Sequence, residues 1–281
     1  MKTPQIVTSI AELRHVIAGW RSGGARIGLV PTMGALHDGH LSLVREIQSR
    51  ADKTVASIFV NPAQFAPHED FDRYPRALES DAAKLGTVAL DLIFAPSVAQ
   101  MYPTGFATGV TVGGPSAGLE TDFRPHFFGG VATVVAKLLI AALPDIAIFG
   151  EKDYQQLLVI RRLTADLGLP VEIAGAPIVR EADGLAMSSR NAYLKPEERK
   201  VAGQMNVVLR AAIAEARSGA AIADVEARGG AALRAAGFDT VDYVAIRDAA
   251  TLERVTGLER PARILAAAKI GATRLIDNMA V

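Results

Sequence analysis

The sequence predicts an α/β protein with a doubly wound parallel sheet, followed by a smaller α+β domain. Up to about residue 176, short apolar segments alternate with segments of helical period, which is typical of a parallel sheet covered by helices. The strand segments are nearly continuous apolar runs, as expected for strands buried on both faces. After Pro177 the pattern changes to helices and then strands. We therefore predict two domains, residues 1–176 and 177–281.

The elements of the first domain follow from periodicity and from turn residues. Ile10, Leu13 and Ile17 have helical spacing behind Ser9, a possible N-cap. Pro144 is expected to stop the most apolar helix. The resulting arrangement is Rossmann-like. The predicted strands are Arg26–Pro31, Lys53–Val60, Leu90–Ala95, Ile146–Phe149 and Val171–Ile173, and the predicted helices are Ser9–Trp20, Leu41–Arg50, Leu78–Leu85, Val131–Leu143 and Tyr154–Leu167.

The second domain has a different order of elements. Two Ala-rich helices are predicted first, at about Pro196–Arg217 and Ile222–Ala236. Three strands follow, at Thr240–Ile246, Ala262–Lys269 and Thr273–Asn278. Helices that precede neighbouring strands indicate an α+β domain with an antiparallel sheet.

Composition excludes several classes of function. The 281 residues include no Cys, so disulfides, thiolate nucleophiles and Cys-ligated metal sites are excluded. Thirty basic residues balance thirty acidic ones, which argues against a nucleic-acid-binding surface. The apolar region from Phe127 to Phe149 is interrupted by charged residues and by Pro144, so no membrane span is expected. The N-terminal segment lacks the apolar core of a signal peptide, and we expect a cytoplasmic protein.

A glycine-bearing segment joins the strand at Arg26–Pro31 to the helix at Leu41. It reads Pro31-Thr-Met-Gly-Ala-Leu-His-Asp-Gly-His40. Ligands of open α/β sheets bind beyond the carboxyl ends of the strands, and the free N–H groups at a helix N-terminus favour phosphate. His37 and His40 are expected to face one pocket. The segment therefore indicates a nucleotide site.

The histidine pair has two alternative explanations. A metal site would need further ligands, and no carboxylate completes an evident set. A surface position is usual for a single loop histidine, but two of the five histidines lie in this junction. Neither a P-loop motif nor a Gly-x-Gly fingerprint occurs. The absence of both motifs argues against γ-phosphate hydrolysis and against hydride transfer.

Two further polar segments also follow strands. Asn61 and Gln64 lie in Phe59-Val-Asn-Pro-Ala-Gln-Phe65, and their amides suit a hydroxylated carboxylate substrate, although an ordinary turn explains them equally well. Phe149-Gly-Glu-Lys-Asp-Tyr-Gln-Gln156 places Lys152 where it can contact phosphate, with Gln156 one helical turn later.

Three segments complete the candidate site. Met187-Ser-Ser-Arg-Asn191 combines hydroxyls with a guanidinium, which suits a polyphosphate; a capped helix entry is the alternative. His68–Arg76 is polar and is either a mobile lid or a solvated loop. Asp81 is a candidate Mg²⁺ ligand, although a favourable charge near a helix start is the commoner role.

These motifs carry a family resemblance. The histidine segment resembles the His-x-Gly-His signature of nucleotidylyltransferases, and MSSRN resembles the KMSKS-type loop of the same superfamily. Together VPTMGALHDGH, NPAQF, DFDRYPR, FGEKDYQQL, MSSRN and RLIDN resemble the pantothenate synthetase (pantoate–β-alanine ligase) family. The resemblance extends from the first helix to Asn278.

The resemblance implies an ATP-dependent condensation of (R)-pantoate with β-alanine through pantoyl adenylate, with release of AMP and diphosphate. It implies catalytic roles for His37, His40, Lys152 and Arg190, and pantoate contacts for Gln64 and Gln156, with Gln64 also near β-alanine. It further implies Mg²⁺ with ATP, and a homodimer. The implied ATP-binding residues are Met33, Gly34, Ala35, Leu36, His37, Asp38, Gly39, His40, Gly150, Glu151, Lys152, Asp153, Val179, Met187, Ser188, Ser189 and Arg190.

The sequence leaves two rival functions open and departs from the family pattern at two places. Another nucleotidylyltransferase of the superfamily is the main alternative, against which the Gln64 and Gln156 pair argues. A nucleotide-binding module without catalysis is the second. Ala63 and the segment Arg124–Gly130 depart from the pattern beside the site, which affects the expected fit of substrate more than the reaction.

Overall fold

Six strands form the sheet in the N-terminal part of the chain. They are β1 (Gln5–Val7), β2 (Ile27–Thr32), β3 (Lys53–Ile58), β4 (Leu92–Phe94), β5 (Ile146–Gly150) and β6 (Glu172–Ala176). Their order in the sheet is β1-β4-β3-β2-β5-β6, and every pairing is parallel. The predicted doubly wound parallel sheet is confirmed.

The computed structural model describes residues 3–67 and 69–281, and the chain separates into two compact units. The first unit extends to Glu151 and takes up Val159–Pro177. The second contains Lys152–Leu158 and Ile178–Val281. The chain thus passes from the first unit to the second after Glu151, just beyond β5, and returns to the first unit at Val159.

The helices before β6 are mostly amphipathic or buried. Ser9 caps the first of them, and its side chain accepts a hydrogen bond from the Glu12 N–H while Glu12 accepts one from the Ser9 N–H. Phe127–Ala142 is almost entirely buried, in keeping with its apolar sequence. The helices are α1 (Ile10–Ser22), α2 (Asp38–Gln48), α3 (Leu78–Thr87), α4 (Val98–Met101), α5 (Glu120–Phe123), α6 (Phe127–Ala142) and α7 (Tyr154–Asp166).

Two helix starts differ from the prediction, and one strand was missed. Helix α2 begins at Asp38 rather than Leu41, because the side chain of His37 caps it. Helix α6 begins at Phe127 rather than Val131. Strand β1 is a short edge strand of three residues, too short to show periodicity.

The second unit contains a three-stranded antiparallel sheet, as predicted. Its strands are β7 (Thr240–Asp248), β8 (Ala262–Ile270) and β9 (Thr273–Ala280), paired in that order. A hydrophobic core that includes Leu209, Leu233 and Ile264 packs the helices on this sheet. The helices are α8 (Pro196–Ala202), α9 (Gln204–Arg217) and α10 (Ile222–Ala235).

The prediction of one helix over Pro196–Arg217 is wrong, because the helix is interrupted at Gly203. The side-chain amide of Asn206 donates to the backbone carbonyl of Gly203 at 3.1 Å. A Cβ at Gly203 would lie 2.6 Å from Oδ2 of Asp183. A side chain at position 203 would therefore displace the Asp183 carboxylate.

The sheet of the first unit has its switch point between β2 and β5. These two strands are adjacent, and the later connections run from β2 towards β3 and from β5 towards β6. Loops that diverge at such a point leave a crevice at the carboxyl ends of the strands. Among the helices of residues 3–67 and 69–281, none has the length and apolar character of a membrane crossing.

Candidate active site

The two histidines of the HDGH segment lie against each other at the N-terminus of α2. Their ring centroids are 4.1 Å apart, with the ring planes tilted by 47°. Nδ1 of His37 accepts a hydrogen bond from the Gly39 N–H at 3.2 Å, and Nδ1 of His40 accepts one from the His37 N–H at 3.3 Å. The two rings therefore lie side by side, and the pocket that they are expected to face stays a prediction.

These contacts assign the proton of each imidazole. A neutral imidazole has one donor nitrogen and one acceptor nitrogen. Because Nδ1 of His37 and Nδ1 of His40 both accept backbone hydrogen bonds, Nε2 carries the proton in both rings. The backbone of the helix start thus orients two N–H donors of the type that phosphate oxygens accept.

The loop between β2 and α2 has an unusual backbone. Gly34 and Ala35 have φ angles of 82° and 51°, and a Cβ on Gly34 would lie 2.9 Å from Oδ2 of Asp81. The buried Asp81 carboxylate accepts hydrogen bonds from the N–H groups of Ala35 and Leu36, each at 2.9 Å. Glycine at position 34 is therefore required by both its φ angle and its close packing.

The metal role predicted for Asp81 has no support in these contacts. Both of its oxygens are hydrogen-bonded to backbone N–H groups, and the side chain is 2% exposed. Within the described part of the chain, no group of three or more His, Cys, Asp or Glu side chains is arranged to hold a metal ion. Asp81 instead shapes the loop.

A chain of side-chain hydrogen bonds orients Gln64. The hydroxyl of Tyr102 donates to Oδ1 of Asn61 at 2.7 Å, and Nδ2 of Asn61 donates to Oε1 of Gln64 at 3.0 Å. Nε2 of Gln64 then contacts Sδ of Met33 at 3.1 Å, and sulfur is a weak acceptor. Burial raises the pKa of Tyr102 to about 12, so the hydroxyl remains a donor at neutral pH.

The turn that carries Gln64 packs backbone to backbone against α6. A Cβ on Gly130 would lie 2.2 Å from the carbonyl oxygen of Ala63 and 2.7 Å from the Gln64 nitrogen. Nδ2 of Asn61 also donates to the Gly130 carbonyl at 3.2 Å. The segment Arg124–Gly130, which departs from the family pattern, thus supports the Gln64 turn.

An ion pair ties the predicted lid to α5 and α6. The guanidinium of Arg124 donates to the Glu69 carboxylate at 2.6 and 2.8 Å, and to the Gln64 carbonyl at 3.3 Å. Burial raises the pKa of the Glu69 carboxyl, but hydrogen bonds and charge from Arg124 outweigh burial and leave this pKa below its ordinary value. His68, the first residue of the predicted lid, lies outside the described residues.

In the second unit, Lys152 is attached to the antiparallel sheet through its backbone. Nδ2 of Asn278 donates to the carbonyl of Lys152 at 2.9 Å, and Oδ1 of Asn278 accepts from Nε of Arg263 at 2.5 Å. The guanidinium of Arg263 lies 3.8 Å from the ring centroid of Tyr154. The start of α7 and the end of β9 are thus connected by hydrogen bonds and by the contact of Arg263 with Tyr154.

The side chain of Lys152 lies near its sequence neighbour. Its ammonium is 3.9 Å from the carboxylate of Asp153.

The C-terminal part of β9 also contacts the antiparallel segment that contains Val179 and Met187. Arg180 makes a bidentate ion pair with the buried Asp277, at 2.7 and 2.8 Å. The Met187 N–H donates to the Val179 carbonyl at 2.9 Å. Neighbouring residues of β9, Asp277 and Asn278, therefore support two of the predicted ATP-binding segments.

The predicted MSSRN loop enters a short 3₁₀ helix over Ser189–Tyr193. The Ser188 hydroxyl accepts from the Arg190 N–H at 3.3 Å, so the capped entry considered as an alternative is present. The Asn191 amide donates to Glu181 at 2.7 Å and to the Ala186 carbonyl at 3.1 Å.

The structure therefore groups the predicted site residues by unit. The first unit contains Met33–His40, Gln64, Asp81, Gly150 and Glu151, and the second contains Lys152, Asp153, Gln156, Val179 and Met187–Arg190. Sequence reasoning missed Tyr102, Gly130 and Asp277, whose contacts are formed only by tertiary packing. Nothing in their local sequence distinguishes them, apart from the position of Asp277 beside Asn278 in RLIDN.

Comparison with known proteins assigns the family. The Pantoate-beta-alanine ligase family model matches residues 5–280. The chain belongs to this family. It is accordingly an enzyme of the ligase class. The chain is 56% identical to the pantothenate synthetase of Mesorhizobium japonicum over 281 residues, covering 100% of this chain and 99% of that protein. It is also 56% identical to the enzyme of Caulobacter vibrioides, covering 100% of both.

Solved structures of the family have the same fold. The pantothenate synthetase of Thermus thermophilus superposes with a TM-score of 0.92 at 48% identity, covering 98% of both chains. The pantoate-β-alanine ligase of Francisella tularensis, crystallised with β-γ ATP and β-alanine, gives a TM-score of 0.84 at 31% identity, covering 99% of this chain and 97% of that one. The predicted fold class is thus confirmed by relatives as well as by the strand pairings.

Proposed function

We propose that the chain condenses (R)-pantoate with β-alanine at the expense of ATP, through a pantoyl-adenylate intermediate, with release of AMP and diphosphate. The observation that carries the proposal is the histidine pair at the start of α2, whose two Nδ1 atoms are occupied by backbone N–H groups. The complex of the Francisella tularensis ligase with β-γ ATP and β-alanine supports the same substrates here.

In the first step, a pantoate carboxylate oxygen attacks the α-phosphorus, and the bond from that phosphorus to the diphosphate oxygen breaks. Negative charge develops on the phosphate oxygens, so preorganised donors are the main requirement. Nε2–H of His37 would contact the phosphates, and Nε2–H of His40 would stabilise charge or donate a proton. Met33–Leu36, Asp38 and Gly39 would form the surrounding cradle.

Pantoate would be held by the two glutamines. The amide of Gln64 has a fixed orientation, because Oε1 accepts from Asn61 while Nε2 donates to the weak acceptor Met33. Nε2–H is therefore directed to where a substrate carboxylate or hydroxyl would be a better acceptor. Gln64 would also lie near β-alanine, and Gln156 would complete the pantoate contacts.

The remaining ATP contacts would come from the segments attached to β9 and from the end of β5. We assign the adenine contact to Val179, the ribose contact to Asp153 and phosphate contacts to Lys152 and Arg190. Gly150, Glu151, Met187, Ser188 and Ser189 would line the nucleotide. The hydrogen bond from Asn278 to the Lys152 carbonyl supports this assignment, because it holds a flexible lysine on a fixed backbone.

In the second step, the amine nitrogen of β-alanine attacks the acyl carbon of the adenylate. The carbon–oxygen bond to AMP breaks, an amide forms, and the amine releases a proton. This step needs orientation more than covalent catalysis. Mg²⁺ would enter with ATP, bound to its phosphate oxygens.

We further propose a cytoplasmic homodimer, with domains at 1–176 and 177–281. Light scattering after size-exclusion chromatography would test the dimer, and a monomer at micromolar concentration would contradict it.

Limited proteolysis would test the domain boundary. The protease should cut the chain near residues 177–178 if the domains fold independently.

An omission experiment tests the reaction. The protein is incubated with ATP, (R)-pantoate and β-alanine, and each substrate is left out in turn. ATP and pantoate together should release diphosphate up to about one equivalent per site, and AMP with pantothenate should form only with all three. Formation of ADP, or diphosphate release that requires β-alanine, would contradict the adenylate. Release with a phosphorylated alcohol in place of pantoate would instead support another nucleotidylyltransferase.

A further inference from the structure

A buried carboxylate on α3 holds the backbone of the loop that precedes the histidine pair. The two oxygens of Asp81 each accept one hydrogen bond, Oδ2 from the Ala35 N–H and Oδ1 from the Leu36 N–H, both at 2.9 Å. The side chain is 2% exposed. A buried carboxylate is stable only with strong partners, and these two N–H groups satisfy it in the manner of an anion-binding turn.

The loop conformation needs such a restraint. Ala35 has a φ of 51°, in the left-handed region that residues with a Cβ disfavour. Gly34 before it has a φ of 82°, and it packs so closely that an added Cβ would meet Asp81 at 2.9 Å and Ile58 at 3.1 Å. Two consecutive residues with positive φ aim the neighbouring N–H groups at one point, and Asp81 occupies that point.

A second residue of α3 binds the same turn from its carbonyl side. The ammonium of Lys84 donates to the Leu36 carbonyl at 2.7 Å. Asp81 and Lys84 are three residues apart on one helix and therefore share a face. Leu36 is thus held at both its N–H and its carbonyl, immediately before the cap residue His37.

We propose that Asp81 and Lys84 are positioning residues that hold Met33–Leu36 in the conformation that receives ATP. The proposal rests on the proposed function, since it assigns the nucleotide to this loop. It replaces the metal role for Asp81, because both oxygens already have donors and a lysine ammonium binds the same turn. Neither residue need touch the substrate.

The first test is Asp81→Asn, which preserves shape but turns an amide N–H₂ towards one backbone N–H. Amide hydrogen exchange at Ala35 and Leu36 should accelerate at least tenfold, while exchange in β3 and β4 remains unchanged. This readout needs no substrate, so it separates failure of the loop restraint from failure of the proposed function. Unchanged exchange at both amides would overturn the proposal.

The second test is steady-state kinetics of the same variant. The KM for ATP should rise about tenfold or more, and the KM for β-alanine should remain within about twofold. Glu79→Gln, an exposed carboxylate on the same helix, is the matched control and should leave both values unchanged. An accelerated exchange with an unchanged KM for ATP would show a purely structural role and overturn the proposal. A rise in the Mg²⁺ concentration that gives the half-maximal rate at saturating ATP would show that Asp81 is a metal ligand. That result would also overturn the proposal.

The third test is rescue by Ala35→Gly. Glycine adopts positive φ without a steric penalty, so this change should partly restore the KM for ATP in the Asp81→Asn background. Strict additivity of the two changes would contradict the coupling. Lys84→Met should give a smaller rise in the KM for ATP, because the turn keeps its two hydrogen bonds to Asp81.

Discussion

The side-chain amide of Asn278 donates to the backbone carbonyl of Lys152 across 2.9 Å, although 126 residues separate them in sequence. Asn278→Asp removes this donor and places a carboxylate oxygen against the carbonyl. Loss of such a buried hydrogen bond costs about 1–3 kcal/mol. We expect Asn278→Asp to lower kcat/KM for ATP about tenfold. Lys152→Ala should lower the same kinetic parameter. A loss of thermal stability with unchanged ATP kinetics would contradict the link.

Direct removal of the predicted phosphate donors should have larger effects. Loss of one preorganised donor typically costs about 10²–10³ in rate, or roughly 3–4 kcal/mol. We expect His40→Ala and Lys152→Ala to reduce adenylate formation by at least this factor. Single-turnover release of diphosphate from ATP and pantoate measures it. A variant that retains near-normal adenylation would show that its assigned role is wrong.

Gly130 and Gly129 form a matched pair on α6. A Cβ at Gly130 would lie 2.2 Å from the Ala63 carbonyl, whereas a Cβ at Gly129 finds no heavy atom within 4 Å. Gly130→Ala must displace the turn that carries Gln64, and a displacement of about 1 Å can cost 10²-fold in rate. Gly129→Ala should retain activity. Pantoate-dependent turnover and thermal melting of both variants check this, and equal activities would contradict the close packing.

Tyr102 should affect pantoate through Asn61 and Gln64. Tyr102→Phe removes the hydroxyl that fixes the Asn61 amide, so we expect a several-fold rise in the KM for pantoate and a stability loss of about 1 kcal/mol. The KM for ATP should not change. Because burial raises the pKa of Tyr102 to about 12, the ratio of wild-type to variant activity should be flat from neutral pH to about pH 10. A ratio that varies in this range would contradict a neutral donor.

The ion pair between Glu69 and Arg124 should make the segment of residues 69–76 sensitive to acid. The pKa of Glu69 in the folded protein is below its ordinary value of 4.5, so its stabilising effect is complete above that value and is lost as pH falls through the folded pKa. Glu120, at 3.6 Å from Arg124, and the nearby His126 also act on this pair. The protection of the residue 69–76 amides against hydrogen exchange, relative to their intrinsic exchange rates at each pH, should therefore fall below about pH 4.5.

Glu69→Gln should show the reduced protection already at neutral pH. Asp72→Asn, an exposed change in the same segment, is the control and should retain the wild-type profile. If the Glu69→Gln variant exchanged like the wild type at pH 7, the ion pair would not hold the segment.

Much of the fold was predictable because it depends on local patterns. Buried parallel strands are continuous apolar runs, and Ile27–Thr32 and Lys53–Ile58 lie within a residue or two of where those runs predicted them. Helix ends depended on side-chain caps, so α2 begins at Asp38, directly after the unrecognised cap His37 and three residues earlier than predicted. The break at Gly203 was missed because the apolar periodicity continues through residues 196–217, and the hydrogen bond from Asn206 to the Gly203 carbonyl is visible only in the structure.

By itself, the sequence determined the α/β class, the two signature segments and the family, since residue type and short-range order carry this information. Only the tertiary structure decided which groups orient the site residues. Asp81 was a candidate Mg²⁺ ligand from sequence, beside the commoner role of a favourable helix charge, and only the structure shows that its two oxygens accept hydrogen bonds from a loop 45 and 46 residues away. The physical reason is that a side chain's role depends on the partners that satisfy it when buried, and those partners are distant in sequence.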